Sequence, residues 1–217
     1  MPADRRPGPG GVLVGWRRRA AVGLGGLCLA LSLAGCTSGT AVESTSQQLY
    51  FQVPGGWKVY EQSQLQGGAL VPALAGGAPA EFLSVAVGGA HPRASEALSA
   101  STVPWAIAEV RALAPAEQAN MSFEGLSDVL FNVDAAAQMG TNVQFTSPPQ
   151  LLVNGALRGA QLSVDYGGNL RYDQVAWVNP ATDKVWVLMV GCSLSCFQAN
   201  QAVVGSIVRS FYVRESQ

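Results

Sequence analysis

Cys192 and Cys196, in the stretch Val190-Gly191-Cys192-Ser193-Leu194-Ser195-Cys196-Phe197, are the two residues of this chain whose types and spacing most directly suggest chemistry. Three intervening residues are not the C-x-x-C spacing that poises a thiol pair for redox exchange. A zinc site needs two further ligands, and the chain has a single histidine, His91. In oxidising surroundings the pair is expected to close a disulfide. A loop this short constrains little chain entropy, so its expected task is local: pinning a strand end to a helix start. His91 lies in Gly88-Gly89-Ala90-His91-Pro92-Arg93 and reads as a solvated loop histidine. No serine occupies a G-x-S-x-G elbow. Asp165 and Asp173 could face each other across a hairpin, but adjacent-strand carboxylates are expected to face water rather than cleave a glycoside. Calcium requires a denser oxygen cluster. The chain is therefore expected to have no catalytic residues, no metal and no cofactor, and not to be an enzyme.

A third cysteine has a different context. Arg17-Arg18-Arg19 precedes fifteen uncharged residues, Ala20 to Ala34, and these lead through Gly35 to Cys36. A membrane-spanning helix needs ~20 apolar residues, so this run is too short to span and has the flanks of a secretory leader. The general secretory route fits better than the twin-arginine one, because Ala20-Ala21-Val22 lacks the bulky apolar pair. Leu33-Ala34-Gly35-Cys36 resembles a bacterial lipobox, in which cleavage precedes the cysteine and its thiol becomes a thioether to diacylglycerol. Residues 1–35 then form the signal peptide, and Cys36 is the lipidation site. Two or three acyl chains hold a protein to a bilayer far more firmly than one. Cys28 leaves with the leader.

From Cys36 onward the chain carries 8 Lys or Arg against 13 Asp or Glu, so the exported part is acidic. An acidic domain has no electrostatic footprint for nucleic acid or anionic headgroups, which assigns membrane attachment to lipid. Residues 36–48, with Thr37 to Gln48 polar and without periodicity, read as a lipidated flexible tether, and residues 49–217 as a single domain.

Leu49 to Val53 reads as a strand, closed by the Pro54-Gly55-Gly56 turn and resuming at Trp57. Gln66 to Ala80 reads as an apolar loop that could cover a pocket or touch a partner, and Glu81 to Gly89 as a second strand. Ser95 to Ala100 has helical composition. Thr102 could cap a helix with Pro104 in its first turn and Trp105, Ile107, Ala108 and Leu113 inside. Val129 to Val133 leans to strand. Leu162, Val164 and Tyr166 alternate with polar residues up to Gly167-Gly168-Asn169. Leu170 to Val178 follows, and Val185 to Val190 is apolar throughout, which together predict an antiparallel meander. Phe197, Val204, Ile207, Val208 and Phe211 recur at helical spacing and predict a closing amphipathic helix. The expected class is α+β.

Phe51-Gln52-Val53-Pro54-Gly55-Gly56-Trp57, the Leu157 to Tyr166 strand, the meander ending in Val185 to Val190 and the closing helix with Ile207 to Val213 resemble, in that order, the PsbP/Mog-type fold. Within it the resemblance is to actinobacterial lipoproteins of the LpqN kind, over Leu49 to Val213. It implies a curved antiparallel sheet flanked by helices in an α/β/α sandwich, found in accessory and binding proteins. Its members assist photosystem assembly, bind a small GTPase or act as envelope lipoproteins with protein partners. None of their binding residues maps onto this sequence.

Of the tryptophans Trp57, Trp105, Trp177 and Trp186, most are expected in the core. Trp177, on the meander, is the one that could face outward as an interface residue. The expected function is that of a lipid-anchored, extracytoplasmic binding module for an envelope protein. The rival is a carrier holding lipid or another apolar ligand between sheet and helices.

Overall fold

The computed structural model describes residues 39–65, 79–127, 138 and 140–214, all within the compact unit Cys36–Gln217. The expected leader, Cys36, most of the expected Gln66 to Ala80 loop and the Val129 to Val133 run lie outside them.

Among the described residues eleven strands run in chain order: β1 Thr40–Ser44, β2 Leu49–Val53, β3 Lys58–Glu61, β4 Ala80–Val87, β5 Trp105–Ala112, β6 Val143–Phe145, β7 Gln150–Asn154, β8 Leu157–Tyr166, β9 Leu170–Val178, β10 Lys184–Ser193 and β11 Tyr212–Val213. Helices are short: α1 Gln62–Leu65, α2 Pro115–Ala119, α3 Phe123–Ser127, α4 Leu194–Ala199 and α5 Gln201–Ser210. Among the described residues an eight-stranded sheet has the order β3-β4-β5-β10-β9-β8-β6 with β7 also on β8, and a three-stranded sheet the order β1-β2-β11. Every pairing is antiparallel. The fold is α+β, an antiparallel sheet flanked by helices.

The meander β8-β9-β10 forms where the alternation and turn residues predict it. Gly167 and Gly168 adopt φ of 62° and 76°, a left-handed conformation that costs glycine least. Asn179 closes the next turn, its Oδ1 accepting from the Asp183 and Lys184 N–H groups at 3.1 Å each.

Strand alternation divides the large sheet into two buried faces. On the first, Val204, Ile207 and Val208 of α5 join Phe51 and Val53 of β2 over Leu188 and Val190 of β10. On the second, Ile107, Leu162, Tyr172, Val187 and Met189 pack with Leu65 of α1 and Leu126 of α3. Burying each large aliphatic side chain stabilises the fold by ~1.5–3 kcal/mol, so both faces count. Ser210 Oγ accepts from the Gln52 N–H at 2.9 Å. Trp186 Nε1 donates to the Gln47 carbonyl at 2.7 Å, tying the small sheet to the large one.

Four expectations are corrected. The helix expected from Thr102 to Pro115 is instead β5, a central strand between β4 and β10. Seven consecutive residues, Trp105 to Arg111, are buried there; in a strand covered on both faces every position reads apolar or packed, and the period of two is hidden. The Ser95 to Ala100 helix reduces to one 3₁₀ turn, Ala94–Glu96. The tether begins to fold earlier than expected, because Thr40–Ser44 pairs along all of β2 and buries Val42 at 7% exposure. The closing helix is interrupted at Asn200, whose N–H bonds back to Cys196 and Phe197 carbonyls and ends α4 before α5 starts.

Candidate functional site

Cys192 and Cys196 are joined in a disulfide with Cα atoms 5.9 Å apart. It links the end of β10 to α4, whose N-cap Ser193 accepts from the Cys196 N–H at 3.4 Å. Both cysteines are buried in the core of the first face, so the bridge fastens rather than reacts. His91 is exposed in its loop.

Trp177 is not at the surface. It is 9% exposed and belongs to the core of the first face. Alternation does put it opposite Tyr172 and Gln174, but the sheet is covered on both sides. Its cross-strand neighbour is Gly159, where an added Cβ would lie 2.6 Å from the Trp177 ring. The indole rests on bare backbone there.

Asp165 and Asp173 do not face each other either. Register places Arg171 opposite Asp165 and Ser163 opposite Asp173. Arg171 donates from Nε and Nη2 to the Asp165 carboxylate at 2.5 and 2.6 Å, which raises the arginine's pKa further. Ser163 Oγ donates to Asp173 at 2.5 Å. Burial raises the Asp173 pKa, against the Ser163 hydrogen bond and the Arg171 charge. These are structural pairs on the first face.

Sequence reasoning missed a charged triad on the second face, two of its members buried and Glu117 partly exposed. Glu109 and Arg111 of β5 each have 1% side-chain exposure and lie 3.6 Å apart, Oε1 to Nε. Arg111 directs Nη1 and Nη2 to Glu117 of α2 at 2.9 and 2.7 Å. Glu117 also accepts from the Ala114 N–H at 2.8 Å, capping α2. With the guanidinium turned to Glu117, neither Glu109 oxygen accepts a hydrogen bond. Burial therefore pushes the Glu109 carboxyl up to about 7, the nearby Arg111 charge opposing. The Arg111 hydrogen bonds lower the Glu117 pKa. The signal was available as acid and base two residues apart, but it points to one face only if the segment is read as a strand.

Among the described residues four large apolar side chains are exposed: Tyr212 of β11, at 49%, and three along the β6–β7 edge. Phe145, Leu151 and Val153 are 46%, 62% and 70% exposed. Opposite Val164, Ala160 and Arg158 respectively, they share the second face. Between β6 and β7, Thr146 to Pro149 oppose only Leu162 and Ser163, a bulge holding Pro148-Pro149. Beside β7 runs a groove of about 690 Å³ lined by Met121, Phe123 and Leu126 around α3, Val178 of β9 and Arg158 of β8. Among the described residues β7 pairs only with β8, and its outer backbone edge has no strand partner among them. No group of His, Cys, Asp and Glu among the described residues could hold a metal ion. No helix among them is long and apolar enough to cross a membrane.

No protein-family model matches the chain. No curated protein matches it in sequence. Among solved structures it is similar to the solution structure of cyanobacterial PsbP (CyanoP) from Synechocystis, at 15% identity and a TM-score of 0.42, over 88% of this chain and all of that one. It is also similar to the crystal structure of protein PA94 from Pseudomonas aeruginosa, of unknown function, at 10% identity and a TM-score of 0.38, over 82% of this chain and 99% of that one. Both likenesses are distant and concern chain path alone.

Proposed function

We propose that this chain is an extracytoplasmic lipoprotein of PsbP/Mog type, akin to the LpqN kind. In this reading Cys36 carries the lipid, and the domain is a non-catalytic accessory module that docks an envelope protein. The observation that carries it is the β6–β7 edge: three large apolar side chains exposed on one face, beside a groove and an open strand edge. Contiguous exposed apolar surface marks a binding surface, and an open edge adds main-chain hydrogen bonds for a partner strand.

The test is in-cell crosslinking from the β7 edge, comparing wild type with Leu151→Asp/Val153→Asp. Both side chains point into solvent, so the double variant should keep its melting temperature and lose one reproducible crosslinked partner. A partner retained undiminished by the folded variant would move the interface elsewhere.

A carrier remains the second reading, because about 690 Å³ is ligand-sized. The exposure of Leu151 and Val153 favours a protein over an enclosed lipid, since a carried lipid would need these side chains dry. Mass spectrometry of organic extracts from the purified protein separates the two: a stoichiometric lipid lost on Leu126→Trp would favour the carrier.

A further inference from the structure

A second cleft lies away from the β7 groove and shares none of its lining residues. It has a volume of about 520 Å³ and opens between β1 of the small sheet and the first face of β3 and β4. Val59 and Phe82, partly buried against the core, form an apolar floor. Among them is Ser84, 2% exposed, whose hydroxyl has no hydrogen-bond partner. Leaving a buried hydroxyl unmatched is costly, and the residue that carries this one lines the cleft. Glu43 of β1 and Glu61 of β3, both exposed, stand at its mouth. Neither enters an ion pair among the described residues, and no lysine or arginine lines the cleft. One wall is four consecutive residues of β1, Thr40 to Glu43. Among the described residues β1 pairs only with β2, and its other edge has no strand partner among them.

Each feature selects for the same occupant. Two unpaired carboxylates attract cations, the apolar floor suits the aliphatic stems of lysine or arginine, and an open strand edge is matched in series only by another extended backbone. We propose that this cleft docks an extended, lysine- or arginine-bearing segment of a partner protein, which adds to the outer edge of β1. Its cationic side chains reach Glu43 and Glu61, and a polar atom of the segment meets the Ser84 hydroxyl. The inference goes beyond the β7 interface, and each stands if the other fails.

The probe is a fluorescent peptide alternating lysine and valine, titrated by anisotropy against the intact protein in non-ionic micelles at low salt. It should bind, weaken as salt rises and lose at least about tenfold in affinity on Glu43→Gln/Glu61→Gln. Ser84→Ala should weaken the peptide while leaving the melting temperature equal or higher, because an unmatched hydroxyl is removed. The same peptide with alternate backbone amides N-methylated should not bind. Unchanged affinity in the Glu43→Gln/Glu61→Gln protein would overturn the proposal. So would equal binding of a glutamate–valine peptide or of the N-methylated one, or competition by spermidine at matching concentration, which would mark a small-cation site instead.

Discussion

Glu109 carries a buried carboxyl neither of whose oxygens accepts a hydrogen bond among the described residues. Its carboxyl lies in the core with Arg111 close enough to attract but already committed to Glu117. Burial raises its pKa from 4.5 to about 7, so the folded protein holds this proton more tightly than the unfolded chain. Its contribution to stability is then complete below about pH 4.5 and is lost as pH rises through about 7. At 1.36 kcal/mol per unit, the whole effect is about 3 kcal/mol at most. Asp173 shifts in the same sense and Glu117 in the opposite one, so the comparison must isolate Glu109. Urea unfolding of wild type and Glu109→Gln at pH 5 and pH 8 does this: wild type should lose stability between them, and the variant should lose clearly less. Arg111→Ala should cost ~3–5 kcal/mol, because it removes the buried charge between Glu109 and Glu117 and leaves the buried Glu109 carboxyl without its cation. Gly159→Ala, whose Cβ would sit 2.6 Å from the Trp177 ring and 2.7 Å from the Ala176 carbonyl oxygen, should cost about 1–3 kcal/mol by thermal melting.

Strands with one polar side, or with an unbroken apolar run, could be read from the chain; a strand covered on both sides but broken by alanines and charges could not. β8 alternates Leu162 and Val164 with Gln161 and Ser163, and β10 is an unbroken apolar run, so the meander was legible. β5 was not, because alanines and a capping threonine before proline imitate a helix start. What decides its state is pairing with β4 and β10, which no local window contains. β1 was hidden for the complementary reason: a polar edge strand has one buried anchor, Val42, and is held by register with β2. The β7 groove was equally opaque, since it arises where α3 meets a bulged edge far away in sequence. The disulfide was legible from spacing and redox logic alone. In the chain-entropy account so short a loop contributes ~2 kcal/mol. Cys192→Ala/Cys196→Ala should therefore lower the urea midpoint by that stability while leaving the circular dichroism of the sheet unchanged.

The molecule as proposed has a tethered end and two docking regions. Three residues, Thr37 to Gly39, separate Cys36 from Thr40, the first residue of β1, which makes four chain steps. At ~3.3–3.6 Å per residue the chain reaches ~14 Å, so a lipid on Cys36 would hold the β1 cleft close to the headgroups. The β7 edge lies at the other side of the large sheet, five or more strands from β3, and is left available to a partner. The proposed function places the domain beside the bilayer, and lipid attachment is its central premise. Metabolic labelling with a clickable palmitate analogue, comparing wild type with Cys36→Ala, tests that premise most directly. The account predicts a labelled wild-type band in the membrane fraction that vanishes in the variant. An unlabelled wild-type protein, or equal labelling of Cys36→Ala, would contradict it.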